Sequence, residues 1–270
     1  MRRAGEGKIQ IRQTGKAPSV KIAVTIEPLA FDGSMTAEIA AALEGSTHLI
    51  VSIAPDESGD PVLGCARGAI LAMPKLEWIG YLSTVGVYGD HQGGRVDETS
   101  ACRPVSARSV ERLAAEPAWQ ALAAEAGRPL AVLRLSGIYG PGRNAFANLA
   151  GGTARRIVKP GQVFNRIHVD DAVSGLFASM ARPRPGAAYT LCDDEPAPAD
   201  VVMEGAARRL GLPRPPEVDL DDPSVSEAMR RFYRDSKRLS NARAKAELRW
   251  RPRYPTWREG LEALIPRGEK

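Results

Sequence analysis

The sequence predicts an α/β protein, a Rossmann-like parallel sheet with helices on both faces and a small C-terminal lobe. Three observations predict it. Short, nearly continuous apolar segments alternate with helical patterns from residue 20 to about 191, as expected of parallel strands covered on both sides. The chain has 270 residues, 43% hydrophobic and 26% charged, which is enough to bury a core without disulfides or metal. Beyond about residue 182 the character changes. Pro183, Pro185, Pro196, Pro198, Pro213, Pro215 and Pro216 divide the chain into short pieces, acids gather over 193–227 and bases over 230–258, as in a small lobe set against a sheet.

The elements follow in order. Val20, Ile22, Val24 and Ile26 alternate with smaller or polar residues and predict a strand. Ser34 is placed to cap a helix that runs through Ile39 and Leu43 and stops at Gly45. Residues 48–53 form an apolar strand, residues 61–73 a helix, and residues 78–83 a second buried strand. A long alanine-rich helix with Leu113, Trp119 and Leu122 covers 106–126, and residues 131–135 form the next strand. Arg166-Ile167-His168-Val169-Asp170-Asp171 reads as a strand running into a helix.

Composition narrows the function. The net charge is +5, yet residues 1–21 carry six bases and one acid, so the rest of the chain is balanced. Nearly all of the excess belongs to a basic N-terminal arm, residues 1–19, and not to a clustered groove, so a nucleic-acid partner is not expected. No apolar run approaches the roughly 18 residues of a membrane span, and no membrane partner is expected either. Cys65, Cys102 and Cys192 are odd in number, far apart and without a CxxC pair, which argues against a disulfide framework and a zinc site and fits a cytoplasmic location.

In an open parallel sheet, ligands bind beyond the carboxyl ends of the strands. Those ends read Ser52-Ile53-Ala54-Pro55, Leu82-Ser83-Thr84-Val85-Gly86-Val87-Tyr88-Gly89 and Leu135-Ser136-Gly137-Ile138-Tyr139-Gly140-Pro141-Gly142. With the strand-to-helix run at His168 and a closing segment containing Ser240-Asn241-Ala242, Trp250 and Glu259-Gly260-Leu261, they resemble the atypical extended short-chain dehydrogenase/reductases, the NAD-dependent epimerase/dehydratase-like proteins. The resemblance covers roughly residues 28–265. It implies that residues 20–150 with 166–192 form an NAD(P)-binding domain and that residues 151–165 with 193–270 form a substrate-side lobe.

What the resemblance implies for single residues is limited to matching positions. Asp32 resembles the aspartate that meets the adenine. Ser52, Ile53 and Ala54 resemble the strand end lining the adenine ribose and diphosphate, and Ser83 lies on the neighbouring strand end. Thr84 matches the residue that orients the substrate oxygen, while Ile138 and Tyr139 match the segment beside the nicotinamide. Tyr88 and Tyr139, expected to hold their hydroxyls at the cleft edge, are candidate proton donors. His168 is expected to be structural.

Two departures qualify the resemblance. The glycine-rich turn that cradles a pyrophosphate at a helix N-terminus is not found. Gly5-Glu6-Gly7 has no strand before it, and the segment before Asp32 is about 25 residues short, as an alternative start or a frameshift would leave it. The family's YxxxK pair is also absent. The Leu113-Ala114-Ala115-Glu116 run sets a register that puts Arg108 at the tyrosine position and Arg112 at the lysine position. A guanidinium stays protonated and is a poor general base, although Arg108 can still stabilise an oxyanion. Thr84 is followed by Val85-Gly86 and not by the acid pair of sugar-nucleotide dehydratases, which argues against that chemistry.

The expected activity is that of an oxidoreductase or epimerase on a carbonyl or hydroxyl of a small-molecule substrate, with weakly bound NAD or NADP. The alternatives are a non-catalytic dinucleotide sensor or scaffold and a truncated inactive product. A homodimer is left open.

Overall fold

The computed structural model describes residues 26–265. The expected basic arm and residues 20–25 of the expected first strand lie outside the described residues, and Ile26 is not in a strand.

Four strands form the central sheet: β1 (His48–Val51), β2 (Trp78–Thr84), β4 (Leu130–Leu135) and β7 (Ala187–Leu191), in the order β1-β2-β4-β7. All three pairings are parallel, with His48 opposite Trp78, Thr84 opposite Leu135 and Leu135 opposite Leu191. Their carboxyl ends therefore share one edge of the sheet. β1 pairs with β2 alone among the described residues.

The two faces follow from the period-2 alternation of the strands. Ile79, Tyr81, Leu130 and Val132 pack under α2 (Pro61–Leu71) and α3 (Ala107–Glu125), which contribute Ile70, Trp119 and Leu122. Trp78, Ala131, Leu133 and Tyr189 face the other way. They meet α5 (Val169–Ala181) through Ala172 and Leu176, and α8 (Ala242–Glu247) through Ala244. Gly175 allows α5 to lie this close, because a Cβ there would stand 2.7 Å from Leu191 Cδ1.

Asp60 begins α2 and also fastens it to α3. Its Oδ1 accepts the amides of Val62 and Leu63 at 2.9 and 3.1 Å, and Oδ2 accepts Trp119 Nε1–H at 2.8 Å. The first helix, α1 (Ala37–Gly45), is capped by Thr36 and not by Ser34 as the sequence suggested. Thr36 Oγ1 accepts Ile39 N–H, whereas Ser34 is held in a turn on Asp32 Oδ1, which accepts both its amide and its hydroxyl. The Asx turn takes the serine out of competition for the helix.

Two further ribbons lie beyond the carboxyl edge. β3 (Arg95–Val96), reached from β2 through a 3₁₀ turn over Val85–Tyr88, pairs with β8 (Arg238–Leu239). β5 (Gly137–Tyr139), which continues from β4, pairs with β6 (Arg166–His168). The short α4 (Ala145–Ala150) packs with α6 (Ala199–Arg209) and α9 (Trp257–Glu262) around Trp257 and Phe146. α7 (Glu227–Phe232) lies in the segment between α6 and β8.

The double use of Asp60 gives a test. Asp60→Ala removes a helix cap and leaves a fully buried indole N–H unmet, and should cost about 2–3 kcal/mol. Urea denaturation of the purified protein measures it.

Candidate functional site

Beneath the carboxyl end of β2 lies a buried polar network. Arg134 on β4 reaches across to Glu116 on α3, with Nε–Oε1 at 3.1 Å and Nη2–Oε2 at 2.7 Å. Ser83 on β2 donates to the same Oε1 at 2.6 Å. Burial opposes the charge of Arg134, but hydrogen bonding to Glu116 and the attraction of its carboxylate outweigh it and raise the guanidinium above its ordinary value. The Arg134 guanidinium also lies over the Tyr88 ring, 4.9 Å from its centre, and the Tyr88 hydroxyl is 2.8 Å from Thr190 Oγ1 on β7. Together these residues set the height and tilt of α3 against the sheet.

Arg112 is one turn before Glu116 on α3. Its Nη1 donates to Leu82 O at 2.7 Å and its Nη2 to Ser52 O at 3.3 Å, with the guanidinium 5.5 Å from the Tyr81 ring centre. β1 ends opposite Tyr81, so the Leu82 carbonyl has run out of strand on that side, and the fork supplies the missing donor. Arg112 thus joins the carboxyl ends of β1 and β2. Arg108 is exposed on the first turn of α3.

Thr84, the last residue of β2, is half-buried and its Oγ1 accepts Gly86 N–H at 3.1 Å. The N-terminus of α3 stands against the same turn. Ser106 caps it, and Ser106 Oγ donates to Ser109 Oγ at 2.9 Å. A Cβ on Gly86 would lie 2.5 Å from Ser109 Oγ and 3.4 Å from Thr84 Oγ1, so glycine is what lets these hydroxyls crowd one side of the turn. Neither serine was singled out in the sequence. The only signal for them was the helix cap at Ser106.

The other sequence candidates fall into two groups. Ser52, Ile53 and Ala54 follow β1 and are exposed, with Ile53 at 41%, and Ile138 on β5 is 36% exposed. Asp32 is exposed in its turn before α1, where the Ser34 hydroxyl and amide hold its carboxyl below the usual range. By contrast, the Ser83 hydroxyl points into the Glu116 network. Tyr88 and Tyr139 do not hold their hydroxyls at the cleft edge. Tyr88 is completely buried on Thr190, and Tyr139, alternating with Ile138, turns inward. Burial raises both phenols, helped at Tyr139 by the negative charges of Asp193 and Asp171.

Tyr139 belongs to a second buried cluster, where β5 and β6 meet α9. Its ring stands edge-on to His168, centres 5.3 Å apart, and its hydroxyl abuts Gly260, where a Cβ would collide with it. His168 Nδ1 accepts Asp170 N–H at 3.2 Å and caps α5, a structural role, and burial lowers its pKa. Asp171 Oδ1 and Oδ2 accept the amides of Arg253 and Tyr254. Asp193, just after β7, is buried, with neither carboxylate oxygen hydrogen-bonded among the described residues. Burial outweighs the attraction of Arg166 and pushes Asp193 up to about 8. Among the described residues, no group of three or more His, Cys, Asp or Glu could hold a metal ion, and no helix is long and apolar enough to cross a membrane.

Residues 69–192 match the NAD dependent epimerase/dehydratase family, a stretch from α2 to the residue after β7. A 3-diazoavenalumate denitrifying reductase of a Streptomyces species is 34% identical over 140 residues, 48% of this chain and 45% of that protein. This chain thus spans about half the length of the curated relatives it matches. A conserved protein of unknown function from Silicibacter pomeroyi DSS is 51% identical, with a TM-score of 0.81 over 88% of this chain and 82% of that one. A UDP-glucuronic acid 4-epimerase from Bacillus cereus, solved with UDP-glucuronic acid and NAD, has the same fold. It is 17% identical, with a TM-score of 0.65 over 83% of this chain and 76% of its own.

Two stability measurements follow. Glu116→Ala strands a buried guanidinium and should cost about 3–5 kcal/mol, whereas the double change Glu116→Leu with Arg134→Met should recover most of the loss. Asp193 has a raised folded pKa, so its cost to stability begins above the unfolded value near 4 and grows until about pH 8. Asp193→Asn should therefore raise the melting temperature more at pH 8 than at pH 5.

Proposed function

Because residues 69–192 of this chain match the NAD-dependent epimerase/dehydratase family, we propose that it binds NAD or NADP beyond the carboxyl ends of β1 and β2 and acts as an oxidoreductase or epimerase on a carbonyl or hydroxyl of a small molecule. The observation that carries the reading is the hydroxyl cluster of Thr84, Ser109 and Ser106 at the carboxyl edge of a parallel sheet, next to an exposed strand end. The related Streptomyces protein, a reductase by name, supports oxidoreductase chemistry.

The exposed residues suit a dinucleotide. Ile138 offers apolar contact beside the nicotinamide, Ile53 and Ala54 lie where the adenine ribose and diphosphate would run, and Asp32 is an exposed carboxylate for the adenine. Residues 26–265 include no glycine-rich turn aimed at a pyrophosphate, so cofactor affinity should be low. Two or three missing charge-assisted hydrogen bonds weaken binding by roughly 10²-fold or more. When bound, the cofactor supplies or takes up the hydride.

The chain's own residues do the rest. Arg112 fixes the two strand ends. Thr84 Oγ1 is anchored on Gly86 N–H and keeps its own hydrogen to hold the reacting oxygen. Arg108 stands one turn before Arg112 and stabilises negative charge on that oxygen. Because the Tyr88 and Tyr139 hydroxyls are buried, the proton comes from water at the rim.

Titrating NADPH and NADH against the folded chain, followed by fluorescence, tests the reading. Weak but saturable binding of one of them is expected, and no saturable binding of either overturns it. For any substrate turned over, Thr84→Val should lower kcat by roughly 10²–10³-fold, the loss seen when one donor to a developing oxyanion is removed. The cofactor Kd should stay within about twofold in that variant. Binding without turnover of any carbonyl or hydroxyl substrate would favour the dinucleotide sensor.

A further inference from the structure

At the amino end of β7, on the sheet edge opposite the candidate site, Arg182, Pro183, Arg184, Ala246, Glu247 and Arg249 line a cavity of about 520 Å³. We propose that this cavity is an anion site for a small phosphorylated molecule, recognised through its phosphate by Arg182, Arg184 and Arg249.

Glu247 is the one acid of the lining, and its charge is already engaged. It accepts the Tyr189 hydroxyl at 3.0 Å and Arg243 Nε at 3.1 Å, with Arg184 Nε at 3.6 Å. Arg182 and Arg249 have no hydrogen-bond or ion-pair partner among the described side chains and carbonyls, so positive charge is left facing the cavity. Arg182 is the residue that ends α5, but the end of α8 does not account for Arg249. α5 and α8 both finish here, and a basic side chain at a helix C-terminus can serve its last carbonyls. At α8 that work falls to Arg251, whose Nη1 donates to Lys245 O and Trp250 O at 2.8 Å each.

The backbone is a separate observation. Arg249 has φ +53°, the left-handed region that glycine or asparagine adopts at least cost. Its neighbours Leu248 and Trp250 are both buried, which fixes the turn between them and sends residue 249 outward. The fold needs the turn but does not need an arginine in it. Three exposed arginines, one of them beside Glu247, border this open pocket, and a guanidinium fork can take two phosphate oxygens at once. The cavity walls are Pro183 and Ala246, with no aromatic face for a base, which points to the phosphate as the recognised group.

The full chain is titrated calorimetrically with pyrophosphate and inorganic phosphate, and with citrate as a non-phosphate polyanion. Arg182→Ala/Arg249→Ala and Arg182→Lys/Arg249→Lys are run alongside, after melting curves without ligand show each to be folded. Saturable phosphate or pyrophosphate binding is expected, weakened roughly tenfold or more by the alanine pair and by a smaller factor by the lysine pair, which keeps charge but loses the fork. Citrate should bind more weakly than pyrophosphate. Equal binding by wild type and the alanine pair, equal binding of citrate and pyrophosphate, or no saturable binding to wild type would each overturn the proposal. Because the cavity and the candidate site lie on opposite sheet edges, NADPH binding should be unchanged in the alanine pair.

Discussion

The buried pair between Arg134 and Glu116 is the constraint on which the carboxyl edge of the sheet depends. An arginine in the middle of a parallel sheet is expensive to bury, and the fold meets that cost with a bidentate carboxylate from α3. The consequence is geometric. α3 can sit at only one height and one rotation, and Ser83, hydrogen-bonded to the same carboxylate, ties β2 into that choice. The N-terminus of α3, with Ser106 and Ser109, is therefore delivered against Gly86 and Thr84, and Arg112 is delivered to the carbonyls of Leu82 and Ser52.

Arg112 shows how a residue can change its work while keeping its place. At this position the family resemblance implies a lysine that tunes a neighbouring proton donor. The longer planar fork of arginine instead bridges two strand ends where the β1–β2 ladder stops. The same edge is left with hydroxyls and one exposed guanidinium, Arg108, as its polar groups on α3. That inventory suits holding and polarising an oxygen better than exchanging a proton with it, and it is why the proposed chemistry draws its proton from water.

The cluster around Tyr139 and Asp193 joins the sheet to the chain beyond β7. Asp171 accepts two backbone amides from the segment before α9, and Gly260 makes room for the Tyr139 hydroxyl. These contacts keep β5 in place, with Ile138 exposed and Tyr139 turned inward. The buried carboxyl of Asp193 in the same region makes the junction sensitive to pH between about 4 and 8.

Much of the sheet domain could be read from the sequence because its signals are local. Short, nearly continuous apolar runs marked β1, β2 and β4, the alanine-rich pattern over 106–126 marked α3, and the strand-end motifs appeared in the order that carries the family resemblance. What tertiary structure decided was direction. A hydroxyl at a strand end reads the same whether it faces a cleft or a helix, and only partners distant in sequence settle it. Ser83 turned toward Glu116, 33 residues on, and Tyr88 toward Thr190, 102 residues on. Arg112 reached back 60 residues to Ser52. Sequence periodicity reports how deeply a side chain is buried, because burial repeats along an element. It carries no record of which long-range polar partner waits there, because each such pairing occurs once.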